Sequence, residues 1–186
     1  MNLFLLSLNP KELAEYHCDK HVVKMIIELI QMLYTAHHIL QKNSNWIDKC
    51  RFFLLFNNAK RADPYKSCYI SHPMCMWVRN NKFNYSWTVE CAIELCLEYE
   101  KRYKKEHSCF IHVIWLKLNK PKYYIDIKSK SAKYVNKDIP KNCSEFPLCM
   151  PEKNWTNSGI DSYRNYYMAD KRHIANWKTK KPFWFL

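Results

Sequence analysis

The sequence predicts a mainly α protein: one compact helical bundle over residues 1–186, with a loop-rich insertion at 108–157 that has room for a small hairpin. Three observations predict it. Residues 9–42 and 73–105 both carry apolar residues at helical spacing. Helix-start chemistry stands at Asn9-Pro10, at Pro73 and at Ser158-Gly159-Ile160-Asp161. Apolar residues make up 48% of the chain and aromatics 16%, enough to pack a core.

Residues 2–8 read as a short strand or extended arm docked beside the first helix. Asn9 caps that helix, Pro10 suits its first position, and Glu12 sits where a capping-box carboxylate belongs. The helix is expected to run unbroken to about Lys42, before the turn residues KNSN. Its apolar face is Val22, Val23, Ile26, Ile30, Leu33 and Tyr34. Opposite lies a stripe of His17, His21, Lys24, Glu28, Gln31, Thr35 and His38, within roughly 60° of one line, with Lys20 at its edge. Residues 45–60 predict a second helix and 61–72 a connecting loop.

Pro73 opens a helix expected to span 73–105, with Val78, Tyr85, Val89, Ala92, Cys96, Tyr99 and Tyr103 facing the core. A second stripe on it holds Trp77, Asn80, Asn84 and Trp87, with Arg79 alongside. His72 precedes the helix, where backbone amides can meet an anion. In 106–157, CFIHVIWLKLNK and KYYIDIKSK have strand-like content and PKNCSEFPLCMPEKNW is a Pro-punctuated loop. The last helix is expected to reach about Trp177, with Tyr163, Tyr166, Tyr167, Ile174 and Trp177 on one face and Arg164, Lys171 and Lys178 beside it.

The charge balance bounds function. Thirty Lys and Arg against 17 Asp and Glu give +13, which favours a polyanionic partner, nucleic acid first. Thirteen Tyr and seven Trp add rings that can stack on bases. The single glycine, Gly159, excludes glycine-rich phosphate loops. Nine scattered cysteines without CxxC pairs point to a reducing, intracellular setting rather than a disulfide framework. No apolar run of about 18 residues is present, so no spanning helix or membrane partner is expected. His17 and His21 are four apart, as paired metal ligands can be, but Lys20 and Lys24 would repel a cation; neither metal nor cofactor is expected.

Within the stripe, Lys24 and Glu28 are four apart and can touch. An amine crowded by cations can become a nucleophile, and a carboxylate beside it can relay a proton or stabilise a sugar cation. The same residues read equally as a polar seam between packed helices.

The segments EYHCDKHVVKMIIE, SHPMCMWVRNNKFNYSW, LEYEKRYKKEH and YRNYY resemble a set of small uncharacterised proteins of phages and large DNA viruses. The order NLFLLSL, LAEYH, Glu28, YRNYY is also distantly similar to the phage endonuclease V family of pyrimidine-dimer DNA glycosylases. That second resemblance implies a basic, all-helical protein with a catalytic Glu on its first helix and an N-terminal amine as nucleophile. Here the amine would be that of Met1, retained before the bulky Asn2, or of Lys24.

The resulting expectation is a monomeric DNA glycosylase, with or without lyase activity. Glu28, Lys24 and Met1 would be catalytic. His17, Lys20, His21, His72, Arg79, Asn80, Asn84, Trp77, Trp87, Arg164, Tyr166, Tyr167, Lys171 and Trp177 would contact nucleic acid. The alternatives are a non-catalytic nucleic-acid-binding protein and an enzyme acting on nucleotides or RNA through a His-Lys-Glu site.

Overall fold

The computed structural model describes residues 2–41 and 43–186. Seven α-helices and one two-stranded antiparallel ribbon make up the regular structure among them, so the mainly α bundle is observed. The first predicted helix is two. α1 (Pro10–Tyr16) starts as expected, with Asn9 Oδ1 accepting the Lys11 amide at 2.9 Å. Glu12 closes the cap indirectly: Ser7 Oγ donates to Glu12 Oε2 at 2.8 Å and accepts the Asn9 amide at 3.2 Å.

The chain then breaks at His17-Cys18, and α2 runs Asp19–Leu40. Tertiary partners stabilise the break. Arg102 Nη1 donates to the His17 carbonyl at 2.9 Å, Arg102 Nη2 to that of Glu15 at 3.0 Å, and the Cys18 amide donates to Tyr167 Oη at 2.8 Å. The break re-aims α1 across the bundle to pack on the long helix α5, which also packs on α2.

α3 (Asn45–Phe56) follows the turn. The expected helix 73–105 is also interrupted, into α4 (Pro73–Val78) and α5 (Lys82–Tyr103). Asn81 restarts the chain by accepting the Phe83 and Asn84 amides at 2.9 and 3.0 Å. α5 stops at Lys104, whose φ of 55° is a left-handed end without glycine.

The segment read as strand-like, CFIHVIWLKLNK, is helix α6 (Phe110–Leu118). Val113, Trp115 and Leu116 are buried, and α6 packs on α2, α3 and α5, so this part of the expected insertion belongs to the core. The hairpin exists only as β1 (Tyr134–Val135) paired with β2 (Phe146–Pro147), Val135 opposite Phe146. α7 (Gly159–Asp170) is capped by Ser158 and ends earlier than expected; a 3-10 turn at Arg172–Ile174 and an irregular tail follow.

The arm, residues 2–8, is extended and lies inside the molecule rather than on it: Leu3, Phe4, Leu5 and Leu6 are buried. Gly159 makes that possible. A Cβ there would stand 2.8 Å from Leu5 Cδ2 and 3.0 Å from the Asp138 carbonyl oxygen, so only glycine lets α7 begin this close to the arm. Among the described residues no helix is long and apolar enough to cross a membrane.

Candidate active site at Glu28

The polar stripe of α2 does three different things along its length. At its N-terminal end, His17 and His21 are core residues, not phosphate ligands on an open surface. His17 is fully buried, and its Nδ1 donates to the Leu13 carbonyl at 2.7 Å, leaving Nε2 buried without a hydrogen-bond partner. His21 lies face to face with Phe4 of the arm, ring centroids 4.8 Å apart. Tyr167 Oη, which already accepts the Cys18 amide, donates to His21 Nδ1 at 2.8 Å. Burial pushes His17 down to about 4 and His21 to about 3, so both are neutral at physiological pH. Tyr167 is consequently a buried structural partner, not a stacking platform.

At its C-terminal end the stripe holds a loop. Thr35 Oγ1 accepts the Cys68 amide at 3.1 Å, and His38 Nε2 donates to the Tyr65 carbonyl at 3.1 Å.

Between these ends lies the cluster with chemical potential. Glu28 is almost buried, and Lys24, one turn earlier and mostly exposed, places its Nζ 3.3 Å from Glu28 Oε1. Asn2 donates its backbone amide to Glu28 Oε2 at 2.7 Å. The Asn2 side chain is fixed in turn: Nδ2 donates to the Cys149 carbonyl at 2.9 Å, and Oδ1 accepts the Leu3 amide at 2.8 Å. Tyr163 of α7 backs this arrangement. Its hydroxyl donates to the Pro147 carbonyl at 2.9 Å, accepts the Cys149 amide at 3.3 Å and lies 3.2 Å from Asn2 Oδ1.

His72 joins from the other side. Its Nδ1 accepts the Met74 amide at 3.2 Å and caps α4, so it serves the helix start rather than leaving that start open to an anion. Burial lowers its pKa, while the Glu28 charge acts to raise it. The two thiols nearby are poor nucleophiles: burial pushes Cys75 and Cys149 up to about 12. The reactive groups left in the cluster are therefore an amine, a carboxylate and the His72 imidazole.

The second predicted stripe is structural. Trp77 is fully buried, donates Nε1 to the Ser144 carbonyl at 3.2 Å and packs on Phe146. Asn84 donates to the Trp77 carbonyl and to Ser144 Oγ, each at 2.7 Å, and accepts the Ser144 amide at 3.0 Å. Asn80 Oδ1 accepts the Ile127 amide, and the Arg79 carbonyl accepts that of Ile125. Trp87, half-buried, donates to the Leu8 carbonyl at 3.4 Å. These side chains tie residues 125–146 and the arm to the bundle; they do not form a face open to nucleic acid.

Near the C-terminus, Arg164 donates twice to the Leu6 carbonyl, at 3.1 and 2.9 Å, and lies over the rings of Tyr16, Phe183 and Trp184. Trp177 donates to the Tyr16 carbonyl at 3.1 Å. Tyr166 is half-buried, with Lys171 Nζ 4.7 Å from its ring centre. Of the predicted residues, the structure brings Lys24, Glu28 and His72 together, keeps Lys20 exposed one turn before Lys24, and uses the Trp77 group inside the fold. Met1 lies outside the described residues. Among the described residues no group of three or more metal-ligating side chains forms.

No family model, curated protein or solved structure matches this chain. The site is therefore read from its own geometry. The residues that the sequence did not single out are Asn2 and Tyr163. Asn2 opens an otherwise apolar stretch, Leu3–Leu6, and that contrast is the signal that could have marked it.

Proposed function

We propose that the protein is a DNA base-excision enzyme, a glycosylase acting on a damaged or modified base through an amine and Glu28. The observation that carries the reading is the contact of Lys24 Nζ with a nearly buried carboxylate at 3.3 Å, the same carboxylate that accepts the Asn2 amide. A net charge of +13 supports a polyanionic substrate. In this reading the amine of Lys24, once its ammonium has given up a proton to solvent, or the α-amine of Met1, attacks C1′ of an extruded nucleotide. The nitrogen–C1′ bond forms as the glycosidic bond breaks, and the base leaves with the bonding electron pair and takes up a proton. Nitrogen then loses a proton to Glu28. Opening of the C1′–O4′ bond, with O4′ protonated, leaves an imine that borohydride can reduce.

Trapping with borohydride on duplexes carrying damaged bases or an abasic site tests this. A covalent adduct is expected with the wild-type chain. The reading fails if no adduct forms, or if the adduct is undiminished when Lys24→Ala is combined with a blocked N-terminal amine. A second reading, a non-catalytic nucleic-acid-binding protein, is favoured by one observation: the hydrogen bond from the Asn2 amide gives Glu28 a docking role that needs no chemistry. It predicts salt-steep DNA binding and no turnover.

A further inference from the structure

Extruding a nucleotide leaves a gap in the base stack, and the aromatic residues expected to contact nucleic acid are poorly placed to fill it. Trp77 and Tyr167 are buried, Tyr166 stacks on Phe4, and Trp87 and Trp177 spend their indole N–H groups on internal carbonyls. The loop that ends at His72 offers a different group. Tyr69 is 67% exposed and Ile70 is 43% exposed, side by side at the loop's outer turn. Tyr69 has φ of 48°, in the left-handed region that a bulky aromatic rarely occupies.

The loop is clamped around that residue. The Cys68 amide is held by Thr35 Oγ1 at 3.1 Å, and the His72 amide donates to the Tyr69 carbonyl at 2.9 Å. Such backbone conformations persist where the surrounding structure over-determines them, and they concentrate at functional sites. One clamp, Thr35, stands on the same stripe as Glu28, two helical turns away, about 10 Å along the axis. The other, His72, is close enough to Glu28 to feel its charge. Residues 67–72 also line a shallow, open depression, and among the described residues no other segment lines it. Lys66 is exposed at its start.

We infer that Tyr69, with Ile70, is a wedge that enters the DNA base stack where the target nucleotide leaves it. Apolar side chains of this kind insert between base steps and hold the duplex kinked. This inference rests on the glycosylase reading for its place beside Glu28.

The test uses the full-length protein and two duplexes, one intact and one with a tetrahydrofuran abasic analogue next to 2-aminopurine. Wild type should prefer the abasic duplex and change the 2-aminopurine emission. Tyr69→Ala should lose about tenfold of that preference, in line with one lost stacking contact. Its intact-duplex affinity and thermal midpoint should stay unchanged, and Tyr69→Phe should restore the preference. The inference is overturned if wild type shows no preference for the abasic duplex, or if a folded Tyr69→Ala protein keeps both preference and emission change. Borohydride trapping on a single-stranded abasic oligonucleotide reads the amine chemistry without any stack to wedge. Absence of trapping there counts against the glycosylase reading, while the duplex preference still decides the wedge.

Discussion

Glu28→Gln separates the two roles that the carboxylate can play. The side chain accepts the Asn2 amide at 2.7 Å and pairs with Lys24 at 3.3 Å. Glutamine keeps an acceptor oxygen for Asn2 and removes the charge. A hydrogen bond to a charged group contributes about 1.5–3 kcal/mol and a neutral one about 1 kcal/mol. The Lys24 pair adds little, about 0–1 kcal/mol, because its ammonium is largely solvated. The substitution should therefore cost about 1–2 kcal/mol, and lower the thermal midpoint of a chain this size by about 2–8 °C. A catalytic carboxylate that moves a proton is worth far more, about 10²–10⁴ in rate. The assay is single-turnover base release, with the adduct yield from borohydride in parallel and a melting curve on the same preparation. A midpoint drop of a few degrees with a rate loss of at least a hundredfold supports catalysis. The same midpoint drop with base release near the wild-type rate would refute it, and would leave Glu28 as the residue that seats the arm.

Three further predictions concern the frame of the site. Arg102→Met should destabilise by about 3–5 kcal/mol in urea unfolding. It leaves Glu98, 5% exposed, with only the exposed Lys101 at 3.4 Å as a cationic partner, and strips the donors from the Glu15 and His17 carbonyls. A loss under 1 kcal/mol would show that the network is dispensable. Gly159→Ala should cost about 1–3 kcal/mol, because the new methyl must displace Leu5 or the Asp138 carbonyl; an unchanged melting curve would argue against the close seating of arm and α7. Stability should also fall on acidification. His17 and His112 are held at about 4, and His21 and His37 at about 3, by burial, against 6.5 unfolded. Below pH 6.5 the unfolded chain binds more protons, so stability is full above that pH and is lost as pH falls toward 4. Each imidazole contributes up to about 1.4 kcal/mol per pH unit over that window. A thermal midpoint that stays level from pH 7 to pH 5 would contradict the neutral, buried assignment.

The helical class was legible because its signals are local. Asn9-Pro10, Pro73 and Ser158 start helices where the side-chain chemistry says they should. The two breaks were not legible, for a common physical reason. Helical periodicity continues through His17-Cys18 because the residues on both sides are buried, and the groups that satisfy the break are Arg102 and Tyr167, distant in the chain. Helix α6 was misread because FIHVIWLKL is apolar on nearly every side, and a short buried segment of that kind has no period to distinguish helix from strand.

The histidine stripe shows the same limit at the level of function. Amphipathicity says which face of α2 is polar, but not whether water, an arm or a loop covers it. Here the arm covers the N-terminal end through Phe4, and the Tyr65–Cys68 loop covers the C-terminal end through Thr35 and His38. In the middle, Lys24 reaches solvent while Glu28 beside it is nearly buried. The pairing of those two was readable from their spacing of four. Its setting was not, because Asn2, Tyr163 and His72 reach it from three other parts of the chain. A helix in isolation would offer Lys24 and Glu28 only as a solvated ion pair of negligible consequence. With the arm seated on it, the same carboxylate is held almost out of water, between the Asn2 amide and the largely solvated Lys24 ammonium, and Glu28→Gln decides whether that setting serves catalysis or only seats the arm.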